Sequence, residues 1–288
     1  MKKVYITVLI LIVLILASCS SAPKNPGDII TLRSAAEKEL ILGNREASHG
    51  NYETAHAALS ECKRKAIITD DWGLIIRSCL SFGNVLFTMS RDDEAFAEWE
   101  EAVELAQRHG NRELLAIARV YAARGRLLSG RASAQSVLDE VIREMGNIKT
   151  DNLHIAFSWQ VRAFALRENK SFREAEEAVK RSLDIHLKEN SLENVSYDWY
   201  LIGSIRSLSG NLQGALQALE SAIEFDRRVE NSFGLAASWR AMGDVYTKMG
   251  NAKGATLSAT LAYSRAKAIY SALGKENESA EIEKRISE

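Results

Sequence analysis

The chain has 288 residues, 46% of them hydrophobic and 26% charged, with a formal net charge of −1. That balance offers no basic excess to a phosphate backbone and argues against a nucleic-acid binder. Only two prolines occur, Pro23 and Pro26, and abundant Ala, Leu, Glu, Lys and Arg predict an almost wholly helical chain.

Residues 1–18 read as a targeting segment. Lys2 and Lys3 precede a nearly unbroken apolar run over 4–16, shorter than the roughly 20 residues a membrane-spanning helix needs. Leu16-Ala17-Ser18-Cys19 resembles a bacterial lipobox. That resemblance implies cleavage before Cys19 and acylation of Cys19 as the mature N-terminus; an uncleaved anchor helix is the alternative. Membrane attachment would then run through the N-terminal lipid alone, each buried methylene contributing about 0.8 kcal/mol. Ser20 after the cysteine matches the common sorting rule for an outer-membrane destination facing the periplasm. Residues 19–30 follow as a linker, with Pro23, Pro26 and Gly27 among small polar residues and no apolar period.

From residue 31 onward the sequence repeats. Thr31, Asp71, Asn111, Asp151, Ser191 and Asn231 are spaced by 40 and are all favourable N-cap types. First helices are predicted over 32–49, 72–89, 112–129, 152–168, 192–209 and 232–249. Second helices begin near Asn51, Arg91, Ala132, Ser171, Asn211 and Asn251. Gly43, Gly83, Ala123, Ala163, Gly203 and Gly243 hold one small slot in the first helices. Ala55, Ala95, Ala175, Ala215 and Ala255 hold another in the second. Glycine inside a helix costs about 1 kcal/mol relative to alanine, so its recurrence predicts close helix–helix approach.

Trp239, Met242, Gly243 and Tyr246, followed by Gly250, Asn251, Ala255 and Ala262, fit the W-x2-L-G-x2-Y pattern of tetratricopeptide (TPR) helix pairs. Trp199, Ile202 and Gly203, and before them Trp159 and Ala163, repeat it. The sequence therefore resembles a bacterial TPR lipoprotein. The resemblance implies an all-α, right-handed superhelical solenoid of six helix pairs over 31–273. The period of 40 exceeds the family's usual 34, and without Pro- or Gly-rich links the excess should lengthen the helices. Trp159, Trp199 and Trp239 are expected in the core.

The third repeat departs from the pattern. Arg119, Arg126 and Gln135 fill its tryptophan, tyrosine and alanine slots, and a one-residue shift puts Ala134, Leu138 and Val141 inward. In the fourth, Arg162 stands where a large apolar residue is expected. Residues 274–288 follow a glycine stop and read as a capping helix carrying Ala280, Ile282 and Ile286.

In TPR proteins that bind peptides, the concave face is built mainly from first helices. Carried over by register, that face contributes Arg77, Asn84, Phe87, Arg124, Phe157, Gln160, Phe164, Arg167, Tyr197, Tyr200, Arg240 and Asp244 as candidate partner-binding residues. Arginine and aromatic residues are enriched at binding hot spots. Asn44 and Asn84 match TPRs that clamp a C-terminal carboxylate, but Leu40 and Leu80 replace the lysines, so that ligand is not supported. Cys62 and Cys79 are read as buried free thiols, with a bridge between them as the alternative.

No catalytic set emerges. The five histidines lack metal-ligand spacing, Ser60-Glu61-Cys62-Lys63 is an isolated S-x-x-K, and no phosphate-binding glycine loop occurs. The expectation is a non-enzymatic scaffold without cofactor or metal, holding an envelope protein or peptide in its groove. The competing expectation is a ligand-binding accessory lipoprotein of an envelope transport system. A closed apolar pocket would favour the latter and an open groove the former.

Overall fold

The computed structural model describes residues 31–250 and 255–287, with side chains from 258 in the last stretch. The targeting segment, Cys19 and the linker lie outside the described residues, as does the predicted helix start at Asn251. Among the described residues there are thirteen helices and no strand. They are α1 (Leu32–Ser48), α2 (Tyr52–Ile68), α3 (Trp72–Thr88), α4 (Asp92–Arg108), α5 (Arg112–Leu128), α6 (Ala134–Met145), α7 (Asn152–Glu168), α8 (Phe172–Lys188), α9 (Leu192–Leu208), α10 (Leu212–Arg228), α11 (Ser232–Met249), α12 (Ala255–Ala272) and α13 (Glu276–Ser287). No described helix is long and apolar enough to cross a membrane.

The 40-residue period has a simple local origin. Most helices run 17 residues and are joined by three-residue links whose middle residue is left-handed, as at Gly50, Asp70, Ser90, Gly110, Lys170, Asn190, Gly210 and Glu230. In most of these links the next N–H reaches back five residues, as from Asn51 to Glu46 and from Asp71 to Ala66. This Schellman closure satisfies carbonyls that the helix end would otherwise orphan. Thr31, Asp71, Asn111, Asp151 and Asn231 each accept a hydrogen bond from the backbone N–H three residues on, as the spacing predicts. Ser191 makes no such bond; its hydroxyl accepts from the Asn194 side chain at 2.8 Å instead.

The small slots behave as expected. A Cβ on Gly43 would lie 2.5 Å from Leu59 Cγ. Trp99 is wedged between two helices, so that a Cβ on Gly83 would lie 2.4 Å from its Nε1 and one on Gly125 would lie 2.1 Å from its Cζ3. Trp99 is fully buried, its indole N–H donating to the Leu80 carbonyl at 3.3 Å. The signature tryptophans differ from expectation: Trp159, Trp199 and Trp239 are only partly buried. Trp159 and Trp239 serve instead as platforms under the guanidinium groups of Arg162, 5.0 Å away, and Arg265, 4.4 Å away.

The third repeat carries the predicted register change. Its second helix, α6, has 12 residues and starts at Ala134, two residues later than the spacing suggests. Val137 and Val141 are fully buried, while Ala134 and Leu138 are partly buried. The arginines in its aromatic slots pair across the helix hairpin, Arg119 with Glu144 at 3.2 Å and Arg126 with Glu140 at 2.8 Å. At the other end, α13 covers the last pair: Ile282 is fully buried beside Tyr263 and Tyr270, and Ile286 is partly buried. Ala280 stays exposed.

Curvature brings distant repeats together. The turn after α1 meets the starts of α9 and α11 and the turn before α13. Ser48 donates to Glu193 at 3.2 Å, and the Tyr52 ring packs edge-on against Phe233 at 6.2 Å. Lys275 donates to the Gly50 carbonyl while its ammonium lies over the Tyr52 and Phe233 rings, 5.8 and 5.9 Å from their centroids. The first turn thus meets the fifth and sixth repeats through a few side-chain contacts, and the groove expected from the repeat pattern is narrowed there to a partly open cavity.

Candidate functional site

The cavity occupies about 500 Å³ at this junction. Three groups of elements build it. Asn44, Ala47 and Ser48 of α1 and Ser81, Asn84 and Thr88 of α3 form one wall. Asn44 and Asn84 share a register slot, so successive first helices present one amide column inward. Glu193, Asn194, Ser196, Tyr197 and Tyr200 of α9 form the opposite wall. Asp226 at the end of α10, with Asn231, Phe233, Gly234 and Ser238 around the start of α11, closes one end. Tyr52 completes the lining beside Phe233.

Asp226 defines the electrostatics. It is 2% exposed, and its carboxylate is held by neutral groups, the hydroxyl of Ser238 at 3.3 Å and the amide of Asn231, with the Ser196 hydroxyl, which donates to the Ala222 carbonyl at 3.0 Å, beside them. Burial, with a smaller contribution from Glu193, pushes its pKa up to about 6. Gly234 is required there, since a Cβ on it would lie 2.6 Å from Asp226 Oδ1.

The predicted binding residues divide into groups. Asn84, Tyr197 and Tyr200 line the cavity, and the two tyrosine rings stack at 6.2 Å. Arg124 reaches Asn84 at 3.5 Å and lies 5.9 Å from the Phe164 ring, which Arg167 approaches to 5.5 Å from its own side. These residues form a basic and aromatic shelf beside Tyr197. Phe164 itself is buried. The remaining candidates have structural partners. Phe87 packs on Trp99 and Phe157 on Tyr121. Arg240 hydrogen-bonds Tyr200 and lies 3.9 Å from Glu281. Asp244 accepts from Tyr263 at 2.8 Å and from Arg285 at 2.5 Å, so the capping helix occupies it. Arg77 is exposed on α3 and does not line the cavity.

Gln160 belongs to a network that the sequence did not reveal. Its amide donates to Asp198 at 2.8 Å, and Asp198 also accepts from Ser182 at 3.1 Å and lies 2.6 Å from His186 Nδ1. All four side chains are buried. Ser, His and Asp meet here, but Ser182 faces Nδ1, the same nitrogen that faces Asp198. A nucleophile–base relay needs the serine on the other ring nitrogen. The network is a polar tie between α7, α8 and α9. A helical period places residues 182 and 186 on one face, but Asp198 lies one helix further on, so local spacing carried no signal for the cluster.

Cys62 and Cys79 are free and buried. Burial pushes the Cys62 thiol up to about 11 and the Cys79 thiol further, which suits packing rather than reactivity. Cys79, Glu98 and Glu101 approach one another closely enough to suggest a metal set, but the Lys63 ammonium binds both carboxylates at 2.7–2.9 Å. The same contact engages the lysine of the S-x-x-K tetrad.

No family model and no curated protein matches the sequence. The fold is similar to that of a Rap protein complexed with Competence and Sporulation Factor, with a TM-score of 0.61 and 11% identity, covering 91% of this chain and 76% of the other. It is also similar to the Rap conjugation gene regulator of plasmid pLS20 in complex with the Phr* peptide, with a TM-score of 0.60 and 12% identity over 93% and 79% of the two chains. A kinesin light chain from Podosopora anserina with TPR-like repeats aligns at a TM-score of 0.51 and 17% identity, over 69% of this chain and 96% of its own. At these identities the likeness defines the fold: an all-α repeat solenoid of the TPR type.

Proposed function

We propose that this chain is a non-enzymatic receptor for a short, extended peptide segment of a protein partner, held in the central cavity. The observation that carries the reading is the cavity's lining. The Asn44–Asn84 amide column faces the Tyr197–Tyr200 pair across a space bounded by six separate helices. Side-chain amides can hydrogen-bond an extended backbone whatever its sequence, and tyrosines supply contact area with few rotors. The similarity to a Rap regulator in complex with the Phr* peptide supports a peptide as occupant.

The leader and Cys19 extend the proposal to a lipid-anchored protein of a bacterial envelope, on the outer membrane facing the periplasm, recruiting other envelope proteins. Cys19→Ala should abolish incorporation of labelled palmitate, and incorporation by that variant would exclude the anchor. Narrowing of the groove favours a second reading, an accessory protein that binds a compact ligand, because a pocket of this volume falls in the range of small-molecule sites.

The test of the main reading is capture followed by reduction to a peptide. Envelope proteins retained by the wild type, and lost by an Asn84→Ala/Tyr197→Ala variant, would be cut into overlapping synthetic segments. One segment should bind alone and lose affinity in the variant. Retention of the intact proteins with no binding segment would overturn the short-segment reading, and capture unaffected by the variant would point to a surface other than the cavity.

A further inference from the structure

The end of the cavity formed by α9, α10 and α11 has a chemistry of its own. Glu193 and Asp226 both line it, and no lysine, arginine or histidine is among the lining residues. Asp226 is 2% exposed and its hydrogen-bond partners are all neutral, so its negative charge has no countercharge in contact. A buried charge left in that condition is costly unless something pairs with it. Around it stand acceptor-capable amide and hydroxyl groups and the rings of Tyr52, Tyr197, Tyr200 and Phe233. Aromatic faces attract cations, and two of these rings, Tyr52 and Phe233, already lie within 6 Å of the Lys275 ammonium. The nearby guanidinium groups of Arg124 and Arg167 lie instead at the Phe164 shelf.

We propose that the Asp226–Glu193 end of the cavity recognises a cationic side chain, arginine or lysine, of the bound peptide. The inference rests on the peptide reading and adds the chemistry of its anchor residue. The surrounding hydroxyl and amide acceptors suit N–H donors, which distinguishes this site from a cage for a quaternary ammonium. Opposite charge at the two ends also sets a direction: the cationic residue lies against α10 and α11, and the rest of the segment runs toward Asn84 and Arg124. Glu193 has a second role, since Ser48 and, at 3.9 Å, His49 approach it from the closing turn. Occupancy by a cation and contact with the first turn therefore use the same carboxylate.

The experiment uses the full-length protein and a labelled hexapeptide library with one position fixed in turn as arginine, lysine, citrulline, leucine or glutamate. Free arginine amide and spermidine are run beside it. Binding is read by anisotropy for wild type, Asp226→Asn and Glu193→Gln. The expected result is a preference of about tenfold or more for arginine or lysine over citrulline, falling to about threefold or less in either variant, as loss of a charge-assisted contact predicts. Both substitutions keep the size of the side chain and remove its charge, and a single cooperative unfolding transition in each variant would verify that the fold survives. Selection of leucine or glutamate peptides overturns the cationic site and leaves the peptide reading in place. Binding of arginine amide or spermidine with no peptide retained supports the cationic site and overturns the peptide reading. No binding of any probe overturns both.

Discussion

The Ser48 hydroxyl donates to the Glu193 carboxylate across 145 residues of sequence, joining the first repeat of the solenoid to the fifth. Gly50, two residues on, is the tightest point of that junction, with φ of +76° and space for a Cβ only 2.6 Å from Phe233 Cδ2. Gly50→Val should strain the left-handed turn by about 1–2 kcal/mol and push Phe233 away. Hydrogen exchange should then accelerate together at the closing turn and at the start of α11. Retained protection at α11 would mean that the two segments are not coupled.

Asp226 provides a prediction with a definite sign. Its pKa is raised from 3.8 to about 6 in the folded chain, so the folded state binds more protons than the unfolded state between those values. Stability therefore falls as pH rises through that window, and this group's unfavourable contribution is fully present above about pH 6 and absent below its unfolded value. Asp226→Asn should stabilise the protein at pH 7.5 by about 1–2 kcal/mol and leave it little changed near pH 4. Glu193 and His49 face the same region and are present in both proteins, so the difference between the two urea titrations isolates Asp226. A pH-independent difference would mean that its burial has no electrostatic cost.

Ligand binding inverts that dependence. A cationic side chain pairs with the ionised carboxylate, so its affinity should fall as pH drops through about 6, while affinity in Asp226→Asn should be flatter over the same range. Isothermal titration of the selected arginine peptide at pH 7.5 and 5.5 reads this directly, and equal affinities in the wild type would separate Asp226 from recognition.

Much of the fold was legible because each repeat announces itself locally. N-cap residues, small slots and left-handed links are properties of a few neighbouring residues, and the first helices fall within one residue of their predicted ends. The cavity was not legible in the same way. Asn84, Tyr197 and Tyr200 could be assigned to the concave face by register, but Asp226, Glu193 and Phe233 enter the site only because superhelical curvature brings the first turn onto the fifth and sixth repeats. That curvature is a sum of small rotations between helix pairs, and no single residue encodes it. Asp244 and Gln160 show the converse: register placed them inward, but the capping helix and a buried carboxylate engaged them.

The tryptophans illustrate how a family pattern can assign the right residue to the wrong environment. Trp99 lies outside the signature slot yet is fully buried between Gly83 and Gly125, whereas Trp199 occupies the slot and is partly exposed. Trp99→Ala should cost about 3–5 kcal/mol, the range for emptying a large core site, and Trp199→Ala about 1–2 kcal/mol. Urea unfolding of the two variants decides the order, and equal losses would contradict the packing.

The third repeat replaces apolar contact with charge, and the replacement is paired. Arg119 fills the tryptophan slot and meets Glu144, which is 7% exposed, at 3.2 Å. The arginine itself is 40% exposed, so water screens one side of the pair. Arg119→Ala alone should destabilise by about 1–2 kcal/mol, because it leaves a largely buried carboxylate without its partner. Glu144→Gln added to it should recover much of that loss, since the amide carries no charge to desolvate. A double-mutant cycle in urea would show a coupling of about 1 kcal/mol if the pair is a unit. Additive losses would mean that Glu144 is accommodated by its surroundings and that Arg119 contributes through the packing of its aliphatic stem.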